Sequence, residues 1–117
     1  MATTTITATA LTKNTDQAMT QGTGTAIVAA NTFKCAYPRE GKLLLLIDSD
    51  HDDTAATFAV SDYFIASGKG TLVVDVGDTA MNGVILESDR FKKKDGYVYW
   101  TWATNSAGYV QAYTLPL

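Results

Sequence analysis

One cysteine and one histidine are all this chain offers of the two residue types that most often build metal centres and reactive sites. Cys35 has no partner for an internal disulfide, which excludes a cross-linked secreted scaffold. Its plainest role is that of a small buried apolar residue. His51 has no second histidine and no neighbouring cysteine, so a zinc site lacks its ligands. Long apolar runs are missing too: the longest, Leu43 to Ile47, is far too short to span a bilayer. Nor is there an excess of positive charge. Nine Lys and Arg stand against 12 Asp and Glu, a formal net charge of −3, which argues against general binding to a phosphate backbone. The opening residues, Met1 to Thr5, have neither the basic nor the apolar region of a secretory leader. The expectation is a soluble product folded in a reducing cytoplasm, with no nucleic-acid or membrane partner.

Catalytic patterns are equally scarce. The densest group of ligand types is Asp48-Ser49-Asp50-His51-Asp52-Asp53. It begins like a calcium loop, with carboxylates at the first, third and fifth places. The glycine needed at the sixth place is Asp53, and the bidentate Glu needed at the twelfth is Ala59. A solvated loop whose charge discourages edge pairing is the better reading. Gly68-Lys69-Gly70-Thr71 lacks the upstream glycine and the following helix of a phosphate loop. Gly22-Thr23-Gly24 leads into an extended segment, unlike a dinucleotide fingerprint. There is no Gly-x-Ser-x-Gly elbow. A pair of carboxylates meeting in space stays open, as it does for any chain of this composition. The expectation is a protein with no catalytic residues, no metal and no cofactor.

What is present is β-pattern. The chain has 117 residues, 46% apolar and 18% charged, which suits one globular domain. From Ala2 to Ala10 threonine alternates with Ile6, Ala8 and Ala10. Such a segment prefers extended structure but buries little alone, so residues 1–20 read as either an extended arm or an edge strand. Turn signals at Lys13 to Asp16 and Gln21 to Gly24 precede a short strand from Thr25 to Ala29. Pro38-Arg39-Glu40-Gly41 closes the next segment. Lys42 to Ile47 is a continuous apolar run, the candidate for a central strand. Thr54 to Val60 resumes the β-prone pattern, giving an expected hairpin across the acidic loop. Residues 61–65 suit a short strand or a helical turn, and Gly68-Lys69-Gly70 a turn. Leu72, Val74 and Val76 share one face of the next strand, followed by a strand from Gly83 to Leu86.

Leu86 to Asp95 is polar and ends in the turn dipeptide Asp95-Gly96. After it, Val98, Trp100 and Trp102 share one face and Tyr97 and Tyr99 the other. The first set belongs in a core. The second either packs or forms an aromatic platform for a partner. Tyr97 to Ala103 and Tyr109 to Leu115 are expected to close as a last hairpin. Strands at this spacing predict an all-β fold: an antiparallel β-sandwich, jelly-roll or immunoglobulin-like, of about seven to nine short strands. Leu43, Leu45, Ile47, Phe58, Leu72, Val74 and Trp100 are its expected core.

Four segments, in this order, carry a family resemblance: Thr5-Ile6-Thr7-Ala8-Thr9-Ala10-Leu11-Thr12; Gly24-Thr25-Ala26-Ile27 with Ala29-Ala30-Asn31-Thr32; Leu86-Glu87-Ser88-Asp89-Arg90-Phe91 with Asp95-Gly96; and Ala112-Tyr113-Thr114-Leu115-Pro116. Together they resemble the small β-sandwich proteins that decorate the capsids of tailed bacteriophages. The middle departs from that pattern, with Ser61 to Gly70 where the family has a glycine-rich, proline-containing loop. The resemblance implies a non-enzymatic decoration, or cement, protein on the capsid exterior, made in the host cytoplasm. Its implied partners are the major capsid protein and further copies of the chain as an oligomer. The candidate interface is Thr3, Thr4, Thr5, Ile6 and Thr7, the cationic group Arg90, Lys92, Lys93 and Lys94, and the tyrosines Tyr97 and Tyr99. Two other classes remain open: a carbohydrate- or host-surface-binding sandwich, and a tail-tube or head-completion protein.

Overall fold

Side chains branched at Cβ or carrying rings pack well on a pleated surface, and nearly half of the described residues take that form. The computed structural model describes residues 2–62, 70–78 and 80–116. Among them are ten strands and one short helix. The strands are β1 (Thr3–Ile6), β2 (Thr9–Ala10), β3 (Thr25–Ala26), β4 (Thr32–Ala36), β5 (Lys42–Ser49), β6 (Ala55–Phe58), β7 (Leu72–Asp75), β8 (Met81–Leu86), β9 (Tyr97–Trp102) and β10 (Gly108–Leu115). The helix, α1 (Ser88–Phe91), is a single turn between β8 and β9. No helix among the described residues is long and apolar enough to cross a membrane. The expected strand or helical turn over residues 61–65, and the turn at 68–70, fall largely outside the described residues.

The strands form two five-stranded sheets that face each other across one core. The front sheet runs β1-β4-β9-β6-β7. The back sheet runs β2-β10-β5-β8, with β3 also pairing with β10. Most pairings are antiparallel, as expected. Two are parallel, β1 with β4 and β2 with β10. Both parallel pairs come from the threonine-rich N-terminal segment. It lies along the edge of the front sheet, crosses at Thr7-Ala8, and joins the back sheet. The segment is therefore edge strand, and Ile6 between its two halves is buried at 4% exposure.

Two expected hairpins are not hairpins. β5 belongs to the back sheet and β6 to the front, so the acidic loop between them carries the chain from one sheet to the other. β9 and β10 are divided the same way. Alternation of side chains assigns a face to each strand, but it does not choose the neighbour. β6 pairs instead with β7 and β9, and β10 with β5. From β4 to β10 only the β6–β7 step keeps the chain in one sheet.

The core is built from one face of each sheet. Phe33 and Cys35 of β4, Ala56 and Phe58 of β6, and Val98, Trp100 and Trp102 of β9 face Leu43, Leu45 and Ile47 of β5 and Val110 and Ala112 of β10. Burial pushes the Cys35 thiol up to about 11, so it stays protonated and inert. Leu72 and Val74 are half-buried rather than enclosed, because β7 is the last strand of its sheet. The indole N–H groups of Trp100 and Trp102 have no acceptor among the described residues. Each costs about 1–3 kcal/mol, which ring packing has to offset.

The two sheet-crossing loops at the acidic end are tied together. Fully buried Thr54 donates from Oγ1 to the Ala107 C=O and accepts the Ala107 N–H, both at 3.2 Å. Ser106 Oγ accepts the Ala55 N–H at 3.3 Å. Beside them Gly108 has φ +131, and a Cβ there would sit 1.9 Å from the Asp48 C=O oxygen. Gly22 also has positive φ, at +75, but open space around it. Gly22→Ala should therefore cost about 1 kcal/mol and Gly108→Ala at least about 2–3 kcal/mol. Urea unfolding of both variants measures the difference.

Candidate functional site

The outward face of the front sheet gathers residues from all five of its strands. Alternation turns Phe33, Trp100 and Phe58 inward and leaves their neighbours facing out. One cross-strand row begins with Thr3 opposite Thr32 and ends with Thr101 opposite Thr57 and Thr57 opposite Val73. The next row holds Thr5 opposite Lys34 and Lys34 opposite Tyr99, followed by Ala59, whose N–H bonds the Tyr99 C=O at 2.9 Å. Thr32, Thr57, Ala59, Thr71, Lys93, Tyr99 and Thr101 line an open groove of about 350 Å³ across this face. Val73 at its margin is 59% exposed.

The tyrosines are braced by charge. Lys34 Nζ lies 4.4 Å from the Tyr97 ring centre and 6.0 Å from that of Tyr99. Lys93 Nζ lies 5.2 Å from the Tyr99 ring. Such contacts contribute about 0.5–1 kcal/mol at exposed positions. The Tyr99 hydroxyl donates to Asp95 Oδ2, and the Tyr97 N–H donates to Asp95 Oδ1 at 3.0 Å. The Tyr99 hydrogen bond, helped by the Tyr97 N–H and by Lys34 and Lys93, holds the Asp95 carboxyl below its ordinary range. The same bond to Asp95 raises the Tyr99 phenol above its usual value. Both directions keep the charge on Asp95 and the proton on Tyr99 at neutral pH. The platform thus presents two rings, two ammonium groups and one carboxylate already engaged.

The structure brings together residues far apart in the chain. Thr3, Thr5, Lys93, Tyr97 and Tyr99 share this face. Thr4 points the other way, half-buried, and its Oγ1 accepts from Asn31 Nδ2 at 3.2 Å. Ile6 is a core residue, because alternation from Thr3 and Thr5 aims it inward, and it cannot serve as a contact. Thr7 is exposed on the crossing between β1 and β2. Arg90 is a strap: Nε and Nη2 donate to the carbonyls of Gly70 and Thr71 at 3.4 and 3.2 Å, and the guanidinium lies 4.9 Å from the Phe91 ring. It holds the chain entering β7 to α1. Lys92 is half-buried, its C=O accepting from Ser61 Oγ at 2.6 Å. Exposed Lys94 lies on the turn, its N–H on Asp62 Oδ1 at 2.8 Å. Sequence reasoning missed Lys34, Thr32, Thr57 and Thr101. The alternation Thr32-Phe33-Lys34-Cys35 held the signal for the first two.

No family model matches the chain, and neither a curated protein nor a solved structure matches it.

The acidic loop lies at the opposite end of β9. His51, Asp52 and Asp53 bring three donor atoms within 4.8 Å of one another. Their geometry is already committed. His51 Nδ1 accepts the Asp53 N–H at 3.1 Å, and the Ser49 hydroxyl donates to the His51 C=O at 2.7 Å. Asp48, first in the run, is buried and accepts the Gly22 N–H, so it is turned away from the group.

Two outcomes follow from these contacts. Calorimetric titration with calcium should give no saturable binding tighter than about millimolar, the weak end of calcium modules; a micromolar site would contradict this. Tyr99→Phe should raise the Asp95 midpoint toward the ordinary carboxylate value, read from the side-chain carboxyl carbon by NMR. The sign follows from linkage. A depressed folded-state carboxyl adds stability above its unfolded pKa and loses it as pH falls through the folded one. The raised Tyr99 phenol acts in reverse, adding stability at neutral pH that is lost in alkali.

Proposed function

We propose that this chain is a structural protein of the virion that binds the outside of an assembled tailed-phage shell, with the front face as its contact with major capsid subunits. The observation that carries the reading is the braced row of Thr5, Lys34 and Tyr99 beside Tyr97 on a floor fixed from beneath by Trp100. Tyrosines held in place lose little freedom on binding and serve as anchors. Threonine rows present short hydroxyls on a flat surface. The resemblance to decoration proteins supports the same reading. The mechanism needs no chemistry. Each contact is modest, but a copy that touches two subunits gains from multivalency. A ligand that binds only the intact shell stabilises it by mass action.

A second reading takes support from the groove itself. A tyrosine ring beside threonine hydroxyls also suits a sugar ring, as in a host-surface glycan module.

Purified protein mixed with undecorated mature heads should co-sediment saturably and raise the temperature of head disruption. Tyr99→Ala should weaken occupancy roughly tenfold, the scale of an interface anchor, while leaving the fold intact. Thr3→Lys or Thr5→Lys tests the N-terminal strand more cleanly than deletion, because deletion removes Ile6 from the core. Failure to co-sediment at micromolar protein, with saturable binding to glycans instead, would favour the second reading.

A further inference from the structure

The two outward faces of the sandwich differ. The front face presents mostly threonine, lysine and tyrosine, with Val73 exposed at its margin. On the back, Gln111 Nε2 donates to the carbonyls of Thr20 and Thr23 at 2.9 and 3.0 Å, so the chain between β2 and β3 covers the β10 side. The same segment reaches Asp48 at the end of β5 through the Gly22 N–H, and the rest of the β5–β8 side has no such cover among the described residues. There Leu44 and Leu46 are half-buried and Ile85 is 53% exposed. Among the described residues β8 is also the end strand of its sheet. From Met81 to Leu86 it carries no charge and no proline, the usual guards of an edge.

We infer that a second copy of this chain adds to the open edge of β8 as an antiparallel strand, about a two-fold axis through Gly83. Backbone alternation sets the register. The Ser49 N–H bonds the Ala80 C=O at 2.8 Å. Ala80, Asn82 and Val84 therefore aim their backbone groups at β5, and Met81, Gly83 and Ile85 aim theirs at the open side. These three residues are symmetric about Gly83. Antiparallel pairing centred there sets Met81 of each copy opposite Ile85 of the other and Gly83 opposite Gly83, so every outward N–H and C=O finds a partner. The side chains agree with that register. A Cβ on Gly83 would lie 3.1 Å from Leu46 Cδ2 and 3.7 Å from Leu44 Cδ1, so these leucines lean over the glycine. Ile85, Met81, Leu44 and Leu46 of both copies then form one apolar strip across the axis. Along the chain the flanking charges, Asp78 and Glu87, lie outside the paired residues; Asp48, opposite Met81 on β5, is buried and holds the Gly22 N–H. The strand is its own complement, and a two-fold contact closes without leading to a fibre.

Sedimentation equilibrium of the full chain, from micromolar to sub-millimolar protein, tests this. The wild type should show a concentration-dependent dimer. Ile85→Lys changes an exposed side chain, should keep the circular dichroism spectrum, and should weaken the dimer at least tenfold, about 1.4 kcal/mol. The double variant Met81→Glu/Ile85→Lys should dimerise again, in a salt-sensitive way, because this register sets each introduced carboxylate against an introduced ammonium. A wild type that stays monomeric would overturn the inference. So would a dimer untouched by Ile85→Lys, or one that the second substitution does not restore. None of these outcomes depends on the front face.

Discussion

Everything on the front face rests on the packing of Trp100 beneath it. Its ring lies 5.4 Å from Phe58, 6.0 Å from Phe33 and 6.4 Å from Trp102, centre to centre. Phe33 meets Trp102 edge-on at 5.4 Å. These contacts join β4, β9 and β6, the three inner strands of the front sheet, and set them on Leu43, Leu45 and Ile47 of β5. Aromatic pairs of this kind contribute about 0.5–1.5 kcal/mol each beyond the area they bury. Rotamers locked in the core fix the pleat, and the pleat fixes where Tyr97, Tyr99 and Thr101 stand. Two buried indole N–H groups without acceptors among the described residues are the cost of filling that space with tryptophan.

The path of the chain adds a second constraint. Because successive strands from β4 onward mostly change sheets, only β6 and β7 pair with a neighbour in sequence among the described strands. Pairing has to wait for distant segments, a topology that folds slowly. The closures that make it work are polar and small. Thr54, Ser106 and Ala107 bind the two crossing loops at the acidic end, and Gly108 lets β10 start against the Asp48 carbonyl. The same architecture separates the two outward surfaces, one polar and braced, the other apolar at its open edge, so they can meet different partners.

Much of this was legible in the residues. The alternation Val98-Tyr99-Trp100-Thr101-Trp102 told core from surface, and Leu43, Leu45, Ile47 and Phe58 behaved as the pattern required. The turn at Asp95-Gly96 came from its dipeptide. What was not legible was pairing. A short polar loop can close a hairpin or step about 10 Å to a facing sheet, and nothing in Asp48 to Asp53 distinguishes the two. The parallel pairing of the N-terminal threonines depends on β4 and β10, far away in sequence. Of the candidate site, Tyr97, Tyr99 and Lys93 could be read locally. Ile6 and Arg90 could not, because one is claimed by the core and the other by the carbonyls of Gly70 and Thr71. Lys34 becomes part of the site only once β4 lies beside β9.

The proposed contact with the capsid is the front face and no other part of the surface. Hydroxyl-radical footprinting of the protein free and bound to heads tests it most directly. Tyr97 and Tyr99 should lose reactivity on the heads, while Tyr109, half-buried on the back sheet, should keep it. Protection of Tyr109 with Tyr97 and Tyr99 still reactive would contradict the account.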